Sequence, residues 1–235
     1  MTEPVARIRE RVLTLEDEIA RILDGSGRTG PVRIVGVVKG RTKEEAGALY
    51  EAGVRHLAEN RWDALRDKEF FLRSGKGCEP RFHFIGALQR RAIKSLYNPV
   101  VRIDTVDRTG VIPVLSEQAR AHGVRQEILL EIDLTGIPGR SGVRPEGLGE
   151  LIQTVKGYPD LSPVGFMVMG PPPGHPSETR KVFEEGRRLF DRYFHGEETV
   201  LSMGMTDDYP EAIRAGATEI RLGRYFFESG GKESR

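Results

Sequence analysis

The stretch Val32-Arg33-Ile34-Val35-Gly36-Val37-Val38-Lys39-Gly40 decides the fold class. Its β-branched residues follow no helical period, and Gly30 and Gly40 bound the run on either side. A short run of this kind reads as a strand covered on both faces, which is what a parallel sheet requires. Upstream, Val5, Ile8, Val12, Leu15, Ile19 and Leu23 recur at spacings of three and four, an apolar stripe along one helix that ends in Gly25 to Gly30. Downstream, the same alternation continues. A helix near Lys43 to Glu51 closes at Gly53, and a strand from Val54 to Ala58 leads into Glu59 and Asn60. A helix over Trp62 to Leu72 precedes a strand over Arg81 to Ile85, and a helix over Gln89 to Leu96 precedes one over Val100 to Ile103. Helices over Arg108 to His122, Gly147 to Lys156, Ser177 to Phe194 and Pro210 to Arg214 then alternate with strands over Glu127 to Ile132, Val164 to Val168, Thr199 to Ser202 and Glu219 to Leu222.

Eight strands alternating with helices, with no Ser/Pro-rich linker between them, point to one domain over residues 1–235, a closed (β/α)8 TIM-type barrel with an extra N-terminal helix. The competing architecture is an open doubly wound sheet. Against it, no G-x-G-x-x-G follows the first strand, where a dinucleotide fold needs it.

The 235 residues carry 36 Lys plus Arg and 35 Asp plus Glu, a net charge of +1, which argues against a nucleic-acid surface or a membrane-attracting one. Cys78 is the single cysteine, so no internal disulfide forms. No apolar stretch approaches the roughly 18 residues of a membrane span, and acidic residues interrupt positions 1–25, so neither a secretory nor a transit leader is expected. The expected location is the cytoplasm.

In such barrels the functional residues stand at the C-terminal ends of the strands. The candidates are Lys39, Glu59 and Asn60, Ser202, Gly204, Met205 and Thr206, and Arg221, Gly223 and Arg224. Lys39 ends the first strand; a partly desolvated amine there would add to an aldehyde, whereas a lysine that merely reaches water would do no chemistry. Loops after strands seven and eight commonly bind phosphate through backbone N–H groups. Gly204 and Gly223 permit close approach, and the Ser202 and Thr206 hydroxyls can donate. The alternative is that Thr206, Asp207 and Asp208 only cap the next helix. Arg221, inward on the last strand, needs an acceptor, either an ion-pair partner or a ligand. His83 reads as a satisfied interior histidine, and Asp104 and Asp107 as turn residues. No zinc spacing, serine elbow or Walker loop is present, so no metal is expected.

Val37-Val38-Lys39, Glu59-Asn60, His83-Phe84-Ile85-Gly86-Ala87-Leu88-Gln89, Leu201-Ser202-Met203-Gly204-Met205-Thr206-Asp207-Asp208 and Ile220-Arg221-Leu222-Gly223 together resemble the pyridoxal phosphate homeostasis proteins of the YggS/PROSC type, in order from about residue 5 to 228. The resemblance implies the barrel of fold-type III pyridoxal phosphate enzymes, alanine racemase among them. It implies that Lys39 forms the internal aldimine with pyridoxal 5'-phosphate. It further implies that Ser202, Gly204, Met205, Thr206, Gly223 and Arg224 surround the phosphate, and that Asn60 and Arg221 flank the ring. Val38, Ala58, Arg91, Ala92 and Arg224 depart from the family pattern.

The function so implied is intracellular cofactor homeostasis and delivery, with PLP-dependent apoenzymes as partners, no established catalysis, and a monomer or weak dimer. The alternative is an amino-acid racemase. Two-base racemisation needs an acid/base on each face of the substrate carbon; Lys39 supplies one, no second group is evident, and no β-domain follows the last strand. A third reading, an enzyme acting on another phosphorylated small molecule, leaves Lys39 idle.

Overall fold

The computed structural model describes residues 3–89, 93, 100–196 and 198–228. Eight parallel strands close into a barrel in chain order: β1 (Arg33–Val37), β2 (His56–Glu59), β3 (Arg81–Phe84), β4 (Val100–Val106), β5 (Gln126–Ile132), β6 (Leu161–Val168), β7 (Val200–Met203) and β8 (Glu219–Leu222). The described helices are α1 (Glu3–Ser26), α2 (Lys43–Glu51), α3 (Trp62–Lys76), α4 (Ile112–Ala121, preceded by a 3-10 turn at Thr109–Val111), α5 (Pro145–Lys156), α6 (Pro176–Tyr193), α7 (Tyr209–Ala215) and α8 (Arg224–Phe227). The closed barrel is therefore as expected, and the open sheet is excluded. Among the described residues, no helix is long and apolar enough to cross a membrane.

The extra N-terminal helix has a structural task. α1 buries Val5, Ile8, Val12, Leu15 and Ile19 and packs against α2, α7 and α8, filling the gap in the helical ring between β8 and β1. Most of the core lies between sheet and helices, where Ile128, Leu130 and Ile132 of β5 and Ile220 and Leu222 of β8 point outward. The inward positions alternate with them. Leu129, Met167 and Val200 form a small separate cluster inside the barrel.

Several element edges differ from the sequence pattern, among them a helix expected from Arg108 that starts at Ile112. β4 runs on to Val106 because Arg102 and Asp104, charged yet inward, interrupt its apolar pattern. β6 starts at Leu161, ahead of Pro163 and Gly165, residues that read as strand breakers. β2 starts at His56 rather than Val54, and α3 extends to Lys76 before Gly77 stops it in the left-handed region at φ 63°. The helix expected over Gln89 to Leu96, with Arg91 and Ala92, lies outside the described residues except at Gln89 and Ile93.

The register fixes which residues face each other across the barrel. One half-circuit of paired residues joins Val37 to Glu127 through Ala58, His83 and Arg102. The other joins Arg33 to Glu131 through Glu219, Ser202 and Met167. Strands of a closed barrel tilt, so these rows climb in opposite senses. The point on β5 level with Val37 falls midway between the two rows through Val37, at Glu131.

Candidate functional site

Lys39 lies in the turn just past β1, at the C-terminal mouth of the barrel. Among the described residues its amine has no ion pair and no hydrogen bond, and the residue is exposed. The expected desolvation of this amine is therefore not seen: the turn carries it beyond the apolar layer that ends at Val38. What remains is an uncommitted primary amine at the rim.

Next to it, the loop after β2 is clamped from below. Glu59, 1% exposed, accepts hydrogen bonds from the backbone N–H groups of Asn60 (2.8 Å) and Arg61 (3.3 Å), while Lys68 of α3 donates to its other oxygen at 2.6 Å. Glu59 is thus the support of the loop and not a reacting group. A Cβ on Gly86 would collide with the Asn60 carbonyl, so glycine after β3 is what lets this loop pass. Asn60 is left exposed at the mouth.

Beneath the mouth the barrel is filled with charge. Arg102 donates from Nε to Asp104 Oδ1 (2.7 Å) and from Nη2 to Asp104 Oδ2 (3.0 Å) and Glu219 Oε1 (2.6 Å). Ser202 donates to the same Glu219 oxygen at 2.7 Å and accepts from Arg221 Nη1 at 2.8 Å; Arg221 Nη2 reaches Val168 O and Met169 Sδ. Burial opposes the charge on Arg102, but Asp104 and Glu219 outweigh it and hold the guanidinium ionised. Burial likewise opposes ionisation of Asp104 and Glu219, yet Arg102 and then His83 hold both carboxyls below their usual range. Arg221 is pushed down by burial, against the pull of Asp104, Glu219, Glu131 and Asp208.

Two expectations are corrected here. Asp104 is no turn residue: it sits within β4, fully buried against Arg102. Ser202 alternates with the outward Leu201 and Met203, so its hydroxyl points into the barrel and is committed to Glu219 and Arg221, not directed at the phosphate loops. His83 is only partly satisfied. Its Nε2 lies 2.8 Å from His56 Nδ1, but its buried Nδ1 has no hydrogen bond and lies 3.4 Å from Asp104 Oδ2. Burial, His83 and Arg33 push His56 down to about 3, so it is neutral. His83, Asp104 and Glu219 offer three ligand atoms within 4.8 Å of one another. Arg102 is already bound to both carboxylates there, and its charge disfavours a second cation.

The loops after β7 and β8 meet at one side of the mouth. Gly204 adopts φ 96°, and a Cβ there would approach Ala212 Cβ to 2.7 Å, so only glycine fits. The Met205 N–H donates to Asp208 Oδ1 at 2.6 Å, and Asp207 pairs with Arg224 across the two loops. Asp208 precedes α7 as expected, but its carboxylate binds backwards to Met205 and makes no cap bond to the helix. The N–H groups of Thr206, Asp207, Arg224 and Tyr225 have no partner among the described residues. Four uncommitted donors beside a guanidinium suit an anion. A groove of about 1110 Å³ between α1 and these loops also borders Thr206, Asp207 and Arg224, but neither Lys39 nor Arg221 lines it. The chemistry therefore belongs to the barrel mouth.

Glu131 was not singled out by sequence. It faces inward near the top of β5, 6% exposed, and its carboxyl has no hydrogen bond or ion pair among the described residues. Burial pushes it up to about 7; Asp107 and Asp133 add to the shift, and Arg221 opposes it. The mouth does contain a second titratable group after all. The only sequence signal was the alternation of Glu127, Leu129, Glu131 and Asp133 against apolar Ile128, Leu130 and Ile132.

A pH dependence follows. The folded pKa of Glu131 lies above its unfolded value of 4.5, so the folded state binds more protons between the two and stability falls as pH rises through about 7. Glu131→Gln removes that loss. Measured by urea unfolding, the variant should gain on the order of 3 kcal/mol relative to wild type between about pH 4 and pH 8. A difference independent of pH would contradict the assignment.

The family model described as alanine racemase, N-terminal domain, matches residues 15–229. A pyridoxal phosphate homeostasis protein of Aquifex aeolicus is 30% identical over 222 residues, covering 93% of this chain and 96% of that protein. One of Deinococcus radiodurans is 34% identical over 199 residues, covering 84% and 90% respectively. Among solved structures, PipY of Synechococcus elongatus PCC7942 with PLP bound superposes with a TM-score of 0.80 at 25% identity, covering 94% of this chain and 100% of that one.

Proposed function

We propose, for a chain that belongs to the alanine racemase N-terminal domain family and within it to the pyridoxal phosphate homeostasis proteins, that the barrel mouth holds pyridoxal 5'-phosphate through Lys39 and keeps it for delivery to PLP-dependent apoenzymes in the cytoplasm. The observation that carries this reading is the unpartnered Lys39 amine sharing the mouth with the uncommitted N–H groups of Thr206, Asp207 and Arg224. An amine and an anion cradle are the two features that an aldehyde bearing a phosphate requires, so the residues present fit the group. When bound, the cofactor supplies an aldehyde that condenses reversibly with a primary amine, releasing one water.

Each residue then has a separate task. Lys39 is the covalent anchor. The loops carrying Gly204, Met205, Thr206, Gly223 and Arg224 bring backbone donors to the phosphate, and glycine at 204 is what allows the chain to turn there. Arg224 would leave Asp207 for the phosphate, a stronger acceptor. Asn60 is presented by the Glu59 clamp. Arg221 forms a cationic floor, and Ser202 acts through it. Relatives that are themselves pyridoxal phosphate homeostasis proteins favour homeostasis over racemisation, and the protein is read as a carrier without turnover of its own.

The phosphate cradle is tested by comparing pyridoxal 5'-phosphate with pyridoxal. A hydrogen bond to a charged group is worth roughly 1.5–3 kcal/mol, so losing the phosphate should weaken binding by about ten-fold or more. Equal affinities, followed by absorbance titration, would show that the loops of β7 and β8 do not hold the anion.

A further inference from the structure

Glu131 is the one buried carboxyl of the mouth, among the described residues, that the reading above leaves without a task. It lies level with Val37 on the opposite wall, because β1 and β5 are four strands apart whichever way the closed barrel is followed. Lys39 lies two residues past Val37, in the turn that follows β1 at the mouth. A small molecule bonded to Lys39 and reaching across the mouth would approach the wall that carries Glu131, since an eight-stranded barrel is only about as wide as the side chains that fill it. The groups facing Glu131 are Asp107 after β4, Arg221 of β8 and Asp133 beyond its own strand, with uncharged Met167 beside it on β6. None of them donates a hydrogen bond to it.

We propose that Glu131 is the proton acceptor of the mouth, taking a proton from an incoming primary ammonium compound of the amino-acid class so that the free amine can displace Lys39 from the bound aldehyde carbon. The inference rests on the cofactor reading and deepens it, since it assigns the residue that makes release possible. An ammonium nitrogen has no lone pair and cannot attack. Transfer of one proton to the Glu131 carboxylate yields the neutral amine and a neutral carboxylic acid. The amine nitrogen then bonds to the aldehyde carbon, its two remaining protons pass to the Lys39 nitrogen, and the double bond from that carbon to Lys39 breaks. Lys39 leaves as a neutral amine and takes the proton back from Glu131. One ammonium enters and one, on Lys39, results; no oxidant, reductant or water is consumed. A carboxyl with a pKa of about 7 is suited to this traffic near neutrality.

The test uses protein loaded with pyridoxal 5'-phosphate and mixed with glycine, following the exchange by stopped-flow absorbance as pH is varied. In wild type the rate should climb with pH and level off above about 7, as Glu131 ionises. Glu131→Gln should lose that step and slow by about 10²-fold or more, while Glu131→Asp keeps the step. Cofactor affinity should change little in either variant. A carbon-13 NMR titration of the glutamate carboxyls in ligand-free protein supplies a readout independent of exchange, and the resonance lost in Glu131→Gln should be the one titrating near neutrality. An unchanged profile in Glu131→Gln, with the adduct at Lys39 intact, would overturn this proposal alone. If wild type forms no reducible adduct at Lys39, both readings fall.

Discussion

Arg102→Leu should cost about 3–5 kcal/mol of folding stability, the range found when one partner of a buried ion pair is removed. Set against a total of about 5–15 kcal/mol for typical domains, that is enough to bring the barrel close to unfolding. Arg102 is a single cation shared by two carboxylates, with Asp104 bound through two nitrogens and Glu219 at 2.6 Å, all of them fully or almost fully buried. Without it, Asp104 and Glu219 stay in the same low-dielectric interior and repel each other. In wild type their pKa values are held down by Arg102, so their contribution is present above the unfolded pKa and is lost progressively as pH falls below it. In the variant the sign reverses. The carboxyls resist ionisation, stability falls as pH rises, and the penalty should be smaller at about pH 5 than at pH 8. Urea unfolding at both values measures it, and Arg102→Leu combined with Asp104→Asn should recover part of the loss. A penalty below about 1 kcal/mol would mean that the interior carboxylates find other partners or water.

The same cluster marks where sequence reading stops. β1 and β8 were legible because Val32 to Val38 and Ile220 to Leu222 carry the β-branched and apolar run of a covered strand. Lys39 and the Gly204 turn were legible because a charge or glycine at a strand end has a definite structural meaning. The interior was not. Arg102, Asp104, Glu131 and Glu219 look like surface residues in a pattern, and only ring closure, which brings β4 and β8 within reach through Arg102, shows that Arg102 pairs inside with Asp104 and Glu219 while Glu131 stays unpaired. Ser202 fell to the same ambiguity: its motif lies at the phosphate loops, but alternation along β7 turns its hydroxyl inward toward Glu219. Glu59 was placed at the mouth, but its partner Lys68 is nine residues on and one helix away, a pairing that spacing alone does not specify.

Lys39→Ala should abolish covalent retention of the cofactor altogether. Every other contact assigned to the mouth is reversible and non-covalent, and of the neighbouring lysines Lys68 is buried against Glu59 and Lys43 pairs with Asp67. The most direct measurement treats protein loaded with pyridoxal 5'-phosphate with borohydride, which fixes the amine–aldehyde adduct irreversibly, and then maps the labelled peptide by mass. The account predicts near-stoichiometric label on the peptide containing Lys39 and background label in Lys39→Ala. Label on a different lysine, or undiminished label in the variant, would contradict it.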